Sequence, residues 1–253
     1  MTRLYGKTAM GRGLLHGMLH ASGQMGFRIL AVNCGMALAL LLASVAACAQ
    51  AANPTLANDK PVKIVAFGDS LTAGYLLAAS EAFPAVLGRA LSARGHKVEM
   101  INAGVSGDTT AGGRDRIAWA VPPDADAVIL ELGANDALRG LNPTAARTNL
   151  ETIITSLKAQ KADVLLAGML APKSLGEPYA KVFDAIFPDL AAKHGLLLYP
   201  FFMEKIILRA ELNLSDGLHP NAKGVEAIVA DILPKVEELI ARVKARRTAA
   251  AKG

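Results

Sequence analysis

Five short strand-like runs, at residues 64–67, 97–102, 127–132, 164–169 and 196–199, are separated by stretches whose apolar residues recur at helical spacing. Short runs rich in Val, Ile and Leu read as strands buried on both faces, and strands that alternate with helices build parallel sheets. The chain is therefore expected to be α/β: a three-layer α/β/α sandwich around a mainly parallel five-stranded sheet. Between the strands, Phe83, Val86, Leu87, Ala90 and Leu91 predict a helix over 80–94, and another runs through Ile117 and Trp119 until Pro122-Pro123. Asn142-Pro143-Thr144 starts a third. Gly195 stops a fourth over 179–194, and the last spans 221–244 with a kink expected at Pro234.

The first strand stops abruptly at Gly68-Asp69-Ser70. That places Ser70 at the carboxyl end of a strand, where open α/β sheets bind their ligands. A helix starting there would give it a backbone donor and a positive dipole end. The competing reading is plain capping, since Asp and Ser are favoured wherever a strand meets a helix.

A serine nucleophile needs a base, a group to orient that base, and donors for the oxyanion. Beyond residue 51 there are three histidines. His96 sits at a helix-to-strand turn and His194 in a last helical turn, positions that suit a structural histidine. His219 stands in a loop, kept out of the helical region by Pro220. Asp216, three residues earlier, is near enough to reach a ring nitrogen and hold the tautomer; otherwise it caps the final helix. Gly107 offers a backbone N–H that no side chain obstructs, and Asn135 an amide just past strand three. Singly, these read equally well as a turn glycine and a loop cap. Ser106 is a rival nucleophile.

Other chemistries find no motif. Beyond residue 51 there is no complete dinucleotide fingerprint, phosphate loop or Gly-x-Ser-x-Gly elbow, and Asp69 has no partner at metal-ligand spacing. No metal and no cofactor is expected.

Four blocks, Gly68-Asp69-Ser70-Leu71, Ser106-Gly107-Asp108, Gly133-Ala134-Asn135-Asp136 and Asp216-Gly217-Leu218-His219-Pro220, resemble those of the SGNH (GDSL-type) hydrolases, nearest their bacterial thioesterase, lysophospholipase and arylesterase branch. Residues 135–140 look like that branch's substrate-side loop, and 200–204 like the segment before its catalytic Asp. The resemblance implies a flavodoxin-like strand order 2-1-3-4-5 and a metal-independent esterase or thioesterase with Ser70, His219 and Asp216 as triad. It implies an oxyanion hole made by Ser70, Gly107 and Asn135. Leu138 and Leu170, with Leu141 and Pro172, could form an apolar acyl groove, although core packing explains such residues equally well. The expected substrate is a small-molecule or lipid ester. A carbohydrate-ester deacetylase, an inactive lipid- or glycan-binding module and, more remotely, a flavodoxin-like nucleotide binder remain open.

Composition bears mainly on the ends of the chain. Residues 1–51 carry Arg3, Lys7, Arg12 and Arg28 with no acid, then an apolar run over 29–47 and small residues, the order of an export signal. Cleavage after Ala51, a lipobox ending at Cys48 and an uncleaved membrane anchor are alternative fates. The first gives a periplasmic or secreted protein; the others would attach it to a membrane. Residues 52–60 read as a polar linker, 61–241 as the hydrolase domain and 242–253 as a basic, Ala-rich tail, taken as a solvated helix end that frays. Removing the leader lowers the formal charge from +5 to about +1, and without the tail the body is near −4, so the high pI does not indicate nucleic-acid binding. Both cysteines, Cys34 and Cys48, fall in the leader. A monomer is expected.

Overall fold

A computed structural model of the chain describes residues 60–252. The expected leader, with Cys34 and Cys48, and most of the expected linker lie outside those residues. Strands β1 (Val62–Gly68), β2 (Val98–Gly104), β3 (Ala127–Glu131), β4 (Asp163–Ala167) and β5 (Leu197–Tyr199) form one sheet in the order β2-β1-β3-β4-β5. Every neighbouring pair is parallel, as the resemblance implied. The chain runs outward from β1 to β2 and then returns across β1 to β3. The order reverses between β1 and β3, and it is at the carboxyl ends of such strands that open α/β sheets form a ligand-binding crevice.

Side-chain chemistry explains the central position of β1 and β3. All five residues of β3 are buried, as are six of the seven of β1. Such strands are stable only when both faces are covered. On one face lie α2 (Phe83–Ala93) and α8 (Ala222–Ala250), packed against each other. The other carries α3 (Thr110–Ala120), α5 (Pro143–Ala159), α6 (Glu177–Asp184) and α7 (Ile186–His194). Two short helices follow strand ends directly: α1 (Ser70–Ala73) after β1 and α4 (Ala134–Leu138) after β3.

Three helices differ from their sequence patterns. The stretch 80–94 divides into a 3-10 turn, Ala79–Glu81, and α2, whose second residue is Pro84. Proline belongs in a first turn, where its missing N–H costs nothing. The stretch 179–194 is two helices, because Pro188 has no N–H to give the carbonyl of Asp184 and the ladder breaks there. The last helix continues through Pro234 and past Lys244 to Ala250.

That last extension corrects the picture of a fraying, solvated tail. Val243 is fully buried. Arg246 Nε donates to Asp163 Oδ2 at 3.0 Å, and Arg247 Nε donates to Asp126 Oδ1 at 3.2 Å, with further bonds to the carbonyls of Lys60 and Pro61. The two arginines thus close the amino edge of the sheet. A groove of about 630 Å³ at this edge is lined by charges already paired, Lys63 with Asp124 and Arg247 with Asp126. If this docking holds, the tryptic sites at Arg246 and Arg247 are protected in the folded protein. Limited trypsinolysis read by mass spectrometry should cut Asp126→Ala there at least about fivefold faster than wild type; equal rates would mean that the tail end is not held.

Candidate active site

Ser70 is the first residue of α1, and Asp69 is its N-cap, accepting from the Leu71 N–H at 3.0 Å. Capping and placement of the serine are therefore one arrangement rather than rivals. Ser70 has no acceptor for its own N–H within a helix it begins. Gly68 must be glycine for a steric reason: a Cβ there would lie 2.1 Å from Thr72 Oγ1 and 2.5 Å from Glu131 Oε2.

From the far end of the chain, the loop before α8 brings His219 onto the serine. His219 Nε2 lies 2.9 Å from Ser70 Oγ, and Nδ1 lies 2.7 Å from Asp216 Oδ2. Asp216 Oδ1 also accepts from the N–H groups of Leu218 and His219, at 2.9 and 3.0 Å, so the carboxylate braces the loop as well as the ring. Below it, Leu214 N–H donates to His219 O at 2.8 Å and Asn213 pairs with Pro220. Desolvation acts to raise the Asp216 pKa, but the hydrogen bonds from Leu218 N, His219 N and the imidazole outweigh it and hold the group at about 2. The carboxylate is ionised at any working pH. The ring of Tyr75 rests against the imidazole, with centroids 4.5 Å apart.

The two further blocks converge on the same end of β1. Asn135 Nδ2 donates to Asp69 Oδ2 at 3.0 Å, which engages one of its two amide hydrogens. The loop carrying Gly107, at φ +82, is tied to β1 by Val105 N–H on Gly68 O, 3.0 Å. Arg139 Nη2 donates to Gly107 O at 2.7 Å. Leu138 and Leu170 are exposed, at 53% and 48%, in the segments that follow β3 and β4. His96 and His194 pair instead with Glu237 and Glu151, and the exposed Ser106 meets no base. Among the described residues no three of His, Cys, Asp and Glu are grouped to hold a metal ion.

Several positioning groups escape a sequence reading. Arg116, 6% exposed, donates from Nε to Asp108 Oδ2 at 2.7 Å and from its two Nη atoms to Ala103 O and Gly68 O. Its guanidinium also lies over the Phe67 ring. One planar fork thus ties the ends of β1 and β2 to the Gly107 loop. Asp136 accepts from Thr110 N and Oγ1 at 2.8 and 2.6 Å, fixing the start of α3 against α4. Only the motif position of Asp136 pointed to it; Arg116 gave no signal.

The chain matches the GDSL-like Lipase/Acylhydrolase family over residues 66–227 and belongs to that family. It is an SGNH-type ester hydrolase. It is 38% identical over 165 residues to an arylesterase of Vibrio mimicus, a match covering 65% of this chain and 82% of that protein. Over 173 residues it is 36% identical to thioesterase 1/protease 1/lysophospholipase L1 of Escherichia coli (strain K12), covering 68% and 81%. Among solved structures, the SGNH-hydrolase family esterase AlinE4 superposes with a TM-score of 0.60 at 46% identity, covering 71% of this chain and 96% of that one. The crystal structure of TesA gives 0.67 at 31% identity, covering 70% and 99%.

Asp69 carries a testable electrostatic burden. Burial pushes its pKa up to about 6 against the lowering effect of the Leu71 and Asn135 hydrogen bonds. A folded pKa above the unfolded value means that this contribution to stability is full below the ordinary aspartate value of about 4, falls as pH rises towards about 6, and is fully lost above it. The melting-point difference between Asp69→Asn and wild type should therefore shift in the variant's favour from pH 5 to pH 8. Activity should fall, because the variant's single carbonyl oxygen cannot accept from both Leu71 N–H and Asn135 Nδ2 as the two carboxylate oxygens do. A pH-independent difference would contradict this.

Proposed function

We propose that the chain is a serine esterase and thioesterase, of arylesterase, lysophospholipase or acyl-CoA thioesterase type, working through Ser70, His219 and Asp216. One observation carries the reading: a single imidazole lies 2.9 Å from a serine hydroxyl on one side and 2.7 Å from a carboxylate on the other. With Nδ1–H donating to Asp216 Oδ2, Nε2 is left to accept from Ser70 Oγ.

In the mechanism, Ser70 Oγ attacks the ester or thioester carbonyl carbon while its proton passes to His219 Nε2. The carbonyl electron pair moves onto oxygen. The N–H groups of Ser70 and Gly107 and the free amide hydrogen of Asn135 receive that oxyanion; losing one such donor typically costs about 10²–10³ in kcat. Asp216 favours the imidazolium so formed. Collapse expels the alkoxide or thiolate, which takes the proton from His219. Water then attacks the acyl-enzyme with His219 again as base, releasing the acid and restoring Ser70.

The named functions of the relatives, an arylesterase and a thioesterase/lysophospholipase, support acyl esters as the substrate class. Leu138 and Leu170, exposed beside the crevice, are proposed to receive the acyl chain. Export through residues 1–51 would place the enzyme in the periplasm or outside the cell; fractionation checks this, and palmitate labelling lost in Cys48→Ala would make it a lipoprotein instead.

Ser70→Ala is expected to lower hydrolysis of p-nitrophenyl esters by at least about 10³-fold and to abolish fluorophosphonate labelling. Undiminished turnover or labelling would remove Ser70 from the role. A chain-length series should favour medium or long acyl groups; activity confined to acetyl would indicate a sugar-ester deacetylase, and none at all a binding module.

A further inference from the structure

Glu131 is the single charged residue of β3, fully buried, and the hydrolysis described above makes no use of it. Its Oε2 accepts from Thr72 Oγ1 at 2.7 Å and, at a longer 3.4 Å, from the Asp69 N–H. Its Oε1 is buried without a hydrogen-bond partner. An apolar residue would fill this strand position at no such cost. The carboxyl also occupies the space that Gly68 leaves open, since a Cβ on Gly68 would lie 2.5 Å from Oε2.

These contacts, together with a further one from the Thr72 backbone, all fall on the segment that carries the nucleophile. Helix α1 has four residues, too few to hold its own geometry in water. Its first residue must nonetheless keep Oγ within reach of His219 while substrate binds and leaves. Thr72, 1% exposed, faces inward from that helix, so the Thr72–Glu131 bond is a pin driven from the central strand into the serine turn.

We propose that Glu131 is a positioning residue for the nucleophile: by accepting hydrogen bonds at Oε2 it anchors the short helix that begins with Ser70, and a negative charge is not part of the role. The proposal rests on Ser70 being the nucleophile. Two buried carboxyls side by side do not both ionise cheaply. Asp69 is the one equipped for charge, with donors from Leu71 and Asn135 and with His219 facing it, although Asp108 opposes it. The nearby guanidinium of Arg116, which reaches Gly68 O, is engaged by Asp108. Burial first, and the Asp69 charge second, push Glu131 well above the ordinary carboxylate range. Glu131 therefore holds its proton more firmly than Asp69, and Oε2 accepts from Thr72 without needing a charge.

Steady-state kinetics on a p-nitrophenyl ester, with melting points, test this in Glu131→Gln and Glu131→Leu. Gln keeps an acceptor oxygen and replaces the hydroxyl with an amide, so its kcat and pH profile should stay within about threefold of wild type. Leu has no acceptor; its kcat and its rate of fluorophosphonate labelling should fall at least tenfold, with KM changed less than threefold. If Gln loses as much as Leu, charge is the working property and the proposal fails. If Leu keeps wild-type kcat in the folded protein, whatever its melting point, Glu131 is merely structural and the proposal also fails. Should Leu not fold, Thr72→Val removes the donor from the other side: the same kcat loss supports the pin and unchanged kcat overturns it. Ser70→Ala, run alongside, separates these outcomes from failure of the nucleophile assignment, which would show as undiminished turnover in that variant alone.

Discussion

One hydrogen bond, between Ser70 Oγ and His219 Nε2, joins residues 149 positions apart, and the arrangement of the molecule is largely a means of making it. Neither partner is held by its immediate neighbours alone. The serine is placed by the end of β1, which is fixed on both sides by the parallel registers with β2 and β3. The histidine is placed by a loop whose carboxylate, Asp216, spends one oxygen on backbone N–H groups and the other on the imidazole. Because the sheet order reverses between β1 and β3, the blocks bearing Gly107 and Asn135 open onto the same crevice.

Beneath this bond lies a polar layer that a purely stabilising design would omit. Asp69, Glu131, Thr72, Arg116 and Asp136 are all buried. Each ties one strand-end segment to another: Arg116 links β1 and β2 to the Gly107 loop, Asp69 links the serine turn to Asn135, and Asp136 links α4 to α3. Burying such groups costs free energy unless their hydrogen bonds are made, and a nearly satisfied network gives in return one fixed arrangement. Glu131, with one oxygen bare, is where the satisfaction is incomplete. Local polarity thus departs from the pattern of a buried strand at the place where the chemistry is built, as expected when function and stability compete.

Much of this was legible in the residues. Buried strands announce themselves by short apolar runs, and all five lie within a few residues of their sequence positions. Strand order did not follow from periodicity; it came from the four-block resemblance, which also placed Ser70, His219 and Asp216 together. Helix boundaries went astray where a proline acted late, as at Pro188, and where partners far along the chain decided the outcome, as when Asp126 and Asp163 capture Arg247 and Arg246. The same cause hid the Asp69–Asn135 contact and the reach of Arg116 to Gly68 O: those partners lie 66 and 48 positions away, and no local pattern records a side-chain hydrogen bond at that separation. Asp69 could be read as a cap, which it is, but its second oxygen's task could not.

A crystal structure of the protein after reaction with a small alkyl fluorophosphonate examines the central convergence most directly. The adduct should sit on Ser70 Oγ, with its phosphoryl oxygen within hydrogen-bond distance of the N–H groups of Ser70 and Gly107 and of Asn135 Nδ2, and with Asp69 still holding the other amide hydrogen. An adduct on Ser106, or a phosphoryl oxygen turned to solvent with Asn135 rotated away, would contradict the account.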